Sequence, residues 1–335
     1  MGVNFMRVSF DVLKDAFYKA LVKAGLSEDR ASLCARLFTE NQCDGVYSHG
    51  LNRFPSLMSK IVSGQIDIQA EPKCTKALGV VEQWDGKMGI GLVNAHVAMG
   101  RAIEIAKEHG MGCVGLRNTN HWMRAGAYGL QAADAGCIGM CWTNTTVLMP
   151  PWGAKEKRIG NNPMVMAIPR DGGHLLLDMA MSQYSNGKLE ILKQRGEDLP
   201  LAGGYDSDGD LTCDPGAILS SKRALPIGYW KGSALAVMLD VLAAVISGGQ
   251  STHKIAAQGD EYAVSQTYIA LDVTSLVGQT AREQIVNDVV NDLLEAGEDV
   301  RYPGAGMLRV REESMEQGVV VDEGQWEDLL KMGSE

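Results

Sequence analysis

Gly110-Met111-Gly112-Cys113-Val114-Gly115 matches the dinucleotide-binding fingerprint G-x-G-x-x-G letter for letter, and its reading decides the fold. A working fingerprint follows a strand and opens a helix, so that a pyrophosphate meets the helix N-terminus. Here the order is reversed. Residues 101–108 carry helical spacing before the motif, and 113–116 form a short apolar run after it. Gly110 therefore reads as a helix C-cap leading into a buried strand, and no Rossmann domain is expected from it.

Working outward, short apolar runs at 79–84, 137–142, 164–168, 175–177 and 267–271 join 113–116 as predicted strands. Helical stretches fall near 90–109, 120–135 and 232–247. Toward the N-terminus, Phe10, Leu13, Phe17, Ala20, Leu21 and Ala24 mark one buried helical face. Gly25 ends that helix, Ser27 with Glu28 and Asp29 starts another, and a third runs from near Ser48 to Ser63-Gly64. Beyond 280, Ile285, Val289, Val290, Leu293 and Leu294 mark a further helical face. The expected fold class is α/β (α+β). A strand-rich core with a mixed sheet would occupy 76–279, flanked by a helical unit that both ends, 1–75 and 280–335, build together.

The chain has 335 residues, enough for about two domains, and its 31 Lys+Arg against 41 Asp+Glu leave a net charge of −10. Such a surface repels phosphate backbones, so nucleic acid is not an expected partner. Seven cysteines without a C-x-x-C pair point to a reduced, cytoplasmic protein with no metal site and no disulfide framework. The longest apolar candidate, 233–246, is interrupted by Asp240 and reads as a core helix rather than a membrane span. Met1-Gly2-Val3 and the residues after them show no signal-peptide pattern. The acidic loop at 203–215 contains Asp206-Ser207-Asp208-Gly209-Asp210, whose glycine is misplaced for a calcium loop.

Several polar clusters could carry chemistry. In Tyr47-Ser48-His49-Gly50-Leu51-Asn52-Arg53, a helical backbone would put His49 and Arg53 on one face. Arg53 could then clamp a carboxylate while His49 protonates the neighbouring carbonyl oxygen. A solvated helix face is the plainer alternative. Arg117-Asn118-Thr119-Asn120-His121-Trp122-Met123-Arg124 stands where a strand enters a helix, as N-cap, site, or both. Thr143-Asn144-Thr145-Thr146 with Pro150-Pro151-Trp152-Gly153-Ala154-Lys155 could hold phosphates on backbone N–H groups, or be a packed turn. Asp178 to Ser182 ends a strand, and Gly228 to Ser233 opens a helix with Lys231 and free donors at its positive end.

Together these segments resemble a known family. Tyr-Ser-His-Gly-x-Asn-Arg-Phe at 47–54, Asn-x-Asn-His-Trp-Met-Arg at 118–124, Pro-Pro-Trp-Gly-Ala-Lys-Glu at 150–156, Gly-x-Asn-Pro at 160–163 and Gly-Tyr-Trp-Lys-Gly-Ser at 228–233 occur in order. Over about 7–330 the chain resembles the malate/L-lactate dehydrogenases that lack a Rossmann fold. The resemblance implies a non-Rossmann NAD(P)-binding core and a homodimer with sites near the subunit interface. It also implies an NAD(P)H-dependent reductase of a 2-oxo acid, NADH preferred and NADPH possible. His49 would be the proton donor, and Arg53, His121 and Ser48 would contact substrate. Cofactor contacts would fall on His174, Leu175, Leu176, Leu177, Asp178, Met179, Ala180, Trp230, Lys231, Gly304, Ala305 and Gly306. Where the family segment reads Pro-Gly-His-Glu, this chain has Pro303-Gly304-Ala305-Gly306. Within the family the likeness leans toward reductases of sugar-derived dioxo acids. Malate, lactate, ureidoglycolate and cyclic imines are the related alternatives, and a non-catalytic cofactor-binding protein the unrelated one.

Overall fold

The computed structural model describes residues 4–334; Met1 to Val3, read above for a leader, and Glu335 lie outside the described residues. Strand β1 (Phe5–Val8) leads through Ser9, whose Oγ accepts from the N–H of Val12, into α1 (Phe10–Lys23). Leu13, Ala16, Phe17, Ala20 and Leu21 form the buried stripe expected of α1. α2 (Glu28–Cys43) packs beside it, and Phe17, Phe38 and Phe54 meet with ring centroids 4.9–5.4 Å apart.

The expected third helix is different. Tyr47–His49 and Leu51–Arg53 form two separate 3-10 turns, and only Phe54–Val62 is α-helix, α3. Gly50 breaks the run at φ −99°, ψ −126°. His49 and Arg53 therefore do not share a helix face. The cause lies outside the segment: the Gln42 carbonyl oxygen accepts from Leu51 N–H at 2.9 Å and presses so close to Gly50 that a Cβ there would clash.

The sheet begins with a hairpin of β2 (Lys73–Leu78) and β3 (Val81–Asp85), turned at Gly79, and continues through α4 (Gly91–His109) to β4 (Met111–Thr119). α5 (Gly126–Asp134), β5 (Ile138–Thr143), β6 (Met164–Ile168) and β7 (Leu175–Met179) follow. Then come α6 (Asn186–Arg195), a small hairpin of β8 (Gly204–Tyr205) and β9 (Leu211–Thr212), α7 (Pro215–Ser221), α8 (Trp230–Ser247) and α9 (Thr252–Ala257). β10 (Val264–Leu271) returns to the sheet, whose strand order is β2-β3-β4-β10-β5-β6-β7. Only β3 and β4 run parallel, so the sheet is mixed and mostly antiparallel. β10 sits at its centre, with Ser265, Gln266 and Thr267 fully buried. α10 (Val273–Val277), α11 (Gln279–Leu294), α12 (Ala305–Gln317), β11 (Val319–Asp322) and α13 (Glu323–Gly333) complete the chain.

The fingerprint glycines have a packing role. Gly110 caps α4 at φ +86°, its N–H donating to Ala106 O. A Cβ on Gly112 would fall 2.1 Å from Ala102 O of α4, and one on Gly115 2.7 Å from the Ile246 backbone of α8. These glycines let a helix close on each face of β4.

One reading of an apolar face needs correction. α8 is not a core helix: Gly232, Ser233, Ala236, Leu239, Ala243 and Ser247 are buried, while Val237, Met238, Val241, Leu242 and Val245 are exposed. Its Asp240 points the other way, accepting at 2.8 Å from both Asn144 Nδ2 and Thr252 N–H. Among the described residues α8 is the one helix long and apolar enough to cross a membrane, with mean hydropathy 1.5, and 33% of that stretch is buried. α11 likewise buries Arg282 and Val290 but exposes Ile285, Val289 and Leu293. Sequence reasoning also missed β1 and β11, which pair antiparallel from Phe5↔Asp322 to Val8↔Val319 and bring the two ends of the chain together.

Candidate active site

Where α2 ends, Asn41 Nδ2 donates to the carbonyl of His49 at 3.0 Å and Gln42 holds Leu51, fixing both 3-10 turns. Across from them, the segment after β4 is not yet helix. α5 starts only at Gly126, and no Asn or Thr side chain caps it. Asn120 instead donates to Met88 O at 2.9 Å and Gly89 O at 3.0 Å. Gly91 packs so tightly beneath that a Cβ would meet the carbonyls of Asn120 and His121. Lys87, Met88, Asn118 and Met123 all adopt positive φ, between 48° and 63°. Such backbone persists only where the surroundings over-determine it, and it clusters at functional sites.

This scaffold stacks His49 on His121, with ring centroids 5.7 Å apart and planes 17° from parallel. His121 Nδ1 accepts from Met123 N–H at 2.9 Å, so its remaining proton lies on Nε2. Ser48 Oγ lies 3.1 Å from His49 Nδ1. Burial, then the charges of Arg53 and Arg124, depress His49 to about 4. Burial, then His49, Arg53 and Lys60, hold His121 well below the ordinary histidine range. Both imidazoles are neutral at neutral pH. Arg53 is exposed, and none of the ion pairs among the described residues involves it. Its guanidinium is free for an anion.

A buried charge network supports the pair. Asp44 accepts from Arg124 Nη1 and from Arg311 Nε at 2.6 Å and Nη2 at 2.8 Å. Arg124 Nη2 lies 2.9 Å from Met307 Sδ, and its Nε approaches Asp178 at 3.9 Å. Asp178 also accepts from Gly126 N–H at 2.9 Å; burial raises its proton affinity, against the pull of Arg124 and of that N–H. Neither Asp44 nor Arg311 stood out in the sequence, because nothing local marks them as partners of Arg124.

The segments expected to hold a cofactor come together along β7, the edge strand. Leu176 N–H donates to Pro303 O at 2.9 Å, and Gly304, at φ +101°, lies so close that a Cβ would sit 3.0 Å from His174 O. Ala305 follows at the start of α12, and at Gly306 a Cβ would meet nothing within 4 Å. His174 is tied down by Arg170 N–H at Nδ1 and by Asp134 at Nε2. Leu175, Leu177 and Met179 continue the strand, and past Ala180 the chain bonds to Ile227, which brings Trp230 and Lys231 alongside. Trp230 is 61% exposed. An edge strand with free room beside it, an open indole and an ammonium suit a dinucleotide. α6 joins this wall to the histidines, since a Cβ on Gly187 would contact Ser48 at 3.5 Å.

Two phosphate readings fail here. The N–H groups of Thr143, Asn144, Thr145 and Thr146 already donate to Pro163 O, Ser265 O, Asn162 Oδ1 and Glu261 Oε2. The N–H groups of Lys231, Gly232 and Ser233 bond to the carbonyls of Gly228, Ile227 and Tyr229 and are not available to an anion. Asp206 spends its carboxylate on the N–H groups of Asp208, Gly209 and Asp210.

The geometry has counterparts among known proteins. The family model described as malate/L-lactate dehydrogenase matches residues 8–330. The chain belongs to that family. It is 44% identical over 327 residues to 2,3-diketo-L-gulonate reductase of Citrobacter koseri, covering 96% of this chain and 98% of that protein. Sulfolactate dehydrogenase from Methanocaldococcus jannaschii superposes with TM-score 0.90 at 28% identity, over 98% of this chain and 96% of that one. Malate dehydrogenase from Entamoeba histolytica, 24% identical, shares the fold with TM-score 0.91 over 98% and 97% of the two chains. This family member is an oxidoreductase of hydroxy and oxo acids, and its dehydrogenase relatives imply a nicotinamide cofactor.

The depressed His49 makes a prediction. In the free protein its imidazole, followed by NMR, should titrate near 4, and Arg53→Gln, by removing a cation, should move that upward. Because the unfolded chain binds this proton more readily, His49 stabilises the fold above about pH 6.5, and that contribution is lost as pH falls toward 4. An unperturbed titration insensitive to Arg53 would contradict the electrostatics described.

Proposed function

We propose that the chain reduces the ketone of a 2-oxo acid to the 2-hydroxy acid, and that its substrate is 2,3-diketo-L-gulonate, giving 3-dehydro-L-gulonate. The observation that carries this reading is the stacked, neutral imidazole pair beside an uncommitted guanidinium. The relatives' name supports the substrate.

The reaction adds a hydride and a proton across the carbonyl. His174 to Ala180, Trp230, Lys231 and Gly304 to Gly306 would hold a reduced nicotinamide, which would supply the hydride when bound. The side chain of Arg53 takes the carboxylate in its planar fork and fixes the adjacent carbonyl. His49 gives the proton to the developing alkoxide. A neutral imidazole is a poor acid, so His49 must first gain a proton. The bound carboxylate cancels the field of Arg53, one of the causes of its depression, and raises His49 toward protonation. The Nε2–H of His121 and the hydroxyl of Ser48 orient substrate and His49 respectively.

A panel of 2-oxo acids with NADH and NADPH, read at 340 nm, tests this. His49→Ala should lower kcat by about 100- to 10,000-fold. Arg53→Lys should chiefly raise KM, because an ammonium does not reproduce the fork. Near-wild-type turnover in His49→Ala would remove it from the donor role, and an unchanged KM in Arg53→Lys would remove the clamp.

We also propose a homodimer. α8 turns Asp240 inward and its apolar side outward, with Val245 69% exposed, and α11 presents Val289 at 62%. A second copy that covers these faces removes apolar surface from water. Light scattering should find a dimer, and Val241→Lys with Val245→Lys should shift it toward monomer if α8 is covered; a monomeric wild type would overturn the proposal.

A further inference from the structure

A buried carboxyl that no expected motif contains stands beside the same guanidinium. Glu261 lies in the turn between α9 and β10, just ahead of Ala263, which is held at φ +51°. Lys60 of α3 clamps this turn: its Nζ donates to Glu261 O at 3.0 Å and pairs with Asp260 at 3.2 Å, while Gln65 Nε2 donates to Asp260 at 2.8 Å. The ammonium of Lys60 is thereby matched by Asp260, and Glu261 is not needed to neutralise it. Thr146 N–H donates to Oε2 of Glu261 at 3.1 Å; among the described residues Oε1 receives no hydrogen bond. The side chain is closely surrounded by protein and yet reached by solvent, as are His49 and His121, which is how a residue lining a cleft behaves. Burial raises the proton affinity of Glu261, against the pull of the Thr146 N–H and of the charges of Arg53 and Lys60; Arg53 also acts on His49 and His121, there behind burial.

Val264 of β10 pairs with Thr119 of β4, which sets the turn carrying Glu261 beside the His121 segment, and Lys60 of α3, the helix that follows Arg53, bonds the same turn; the histidines, Arg53 and Glu261 are thus neighbours, with opposite charges at two places. We propose that Glu261 is a specificity-determining residue: its carboxylate turns away acids with a second carboxylate and accepts a hydroxyl of acids with a hydroxylated tail. This rests on the 2-oxo acid reading given above. With the reacting carboxylate on Arg53, the rest of a short acid extends into the same cleft. A terminal carboxylate there meets a like charge in a partly desolvated place. A terminal hydroxyl has an O–H to give to the open Oε1, a contact that an analogue lacking it does not make. The site would therefore select polyhydroxy 2-oxo acids over C4 dicarboxylates, a choice that Arg53 and His49 alone do not make.

The test compares glycerate with malate as ligands of the cofactor-loaded protein, and hydroxypyruvate with oxaloacetate as substrates. Wild type should favour glycerate and hydroxypyruvate. In Glu261→Gln, which keeps an acceptor for Thr146 N–H, both ratios should swing toward the dicarboxylate by about tenfold or more. Glu261→Asp, which keeps the charge, should retain the wild-type order and serves as the control for folding. Ratios within about twofold of wild type in Glu261→Gln would overturn the assignment while leaving acid reduction standing. A wild type that turns over none of these acids and not 2,3-diketo-L-gulonate either would instead overturn the proposed function, and the ligand affinities would still decide the role of Glu261.

Discussion

The carboxylate of Asp44, without solvent exposure and shared between Arg124 and Arg311, is the constraint on which the site depends. It follows α2 directly and precedes the turn that carries His49. Arg124 stands one turn of chain beyond His121, and Arg311 lies on α12, which opens at Ala305-Gly306. A single buried carboxylate therefore sets the spacing of the His49 turn, the His121 segment and the segment beside β7. Two cations and one anion would be an unbalanced interior. Asp178, near Arg124 Nε, supplies the opposing charge from the wall where the cofactor is proposed to lie. Removing one member of such a network leaves a buried charge uncompensated, a loss of about 3–5 kcal/mol.

Around that frame the electrostatics are local. A chain with net charge −10 has no mean field to draw in an anion. The attraction comes from Arg53, whose guanidinium pairs with no acid among the described residues. Burial first, and then the charge of Arg53 among others, depresses His49 and His121. Under the proposed function, an acid that brings its carboxylate to Arg53 would also favour a charged His49. Binding and acid catalysis would then be coupled through one cation, with Glu261 proposed to limit which anions meet it.

Much of the fold was legible because its elements carry strong local patterns. The order of helix and strand around Gly110 to Gly115 ruled out a Rossmann turn, and the apolar runs at β4 to β7 and β10 marked strands. Other features were set at long range. The break at Gly50 comes from Gln42, β1 finds its partner across nearly the whole chain, and the stack of His49 on His121 joins two distant loops. Apolar periodicity on α8 says that a face avoids water, not what covers it, and so its sequence reads as a core helix. Glu261 escaped notice because its neighbours in sequence are ordinary loop residues, and its meaning comes from Arg53, Lys60 and Thr146.

The coupling of anion to proton is the central claim, and proton uptake tests it most directly. Oxamate, an unreactive mimic of a 2-oxo acid, would be added to the protein with its nicotinamide bound, in weakly buffered indicator solution near pH 7. The account predicts net proton uptake on binding that grows as the pH is lowered from 7 toward 5 and is abolished in His49→Gln. Binding without uptake, or the same uptake in His49→Gln, would contradict it.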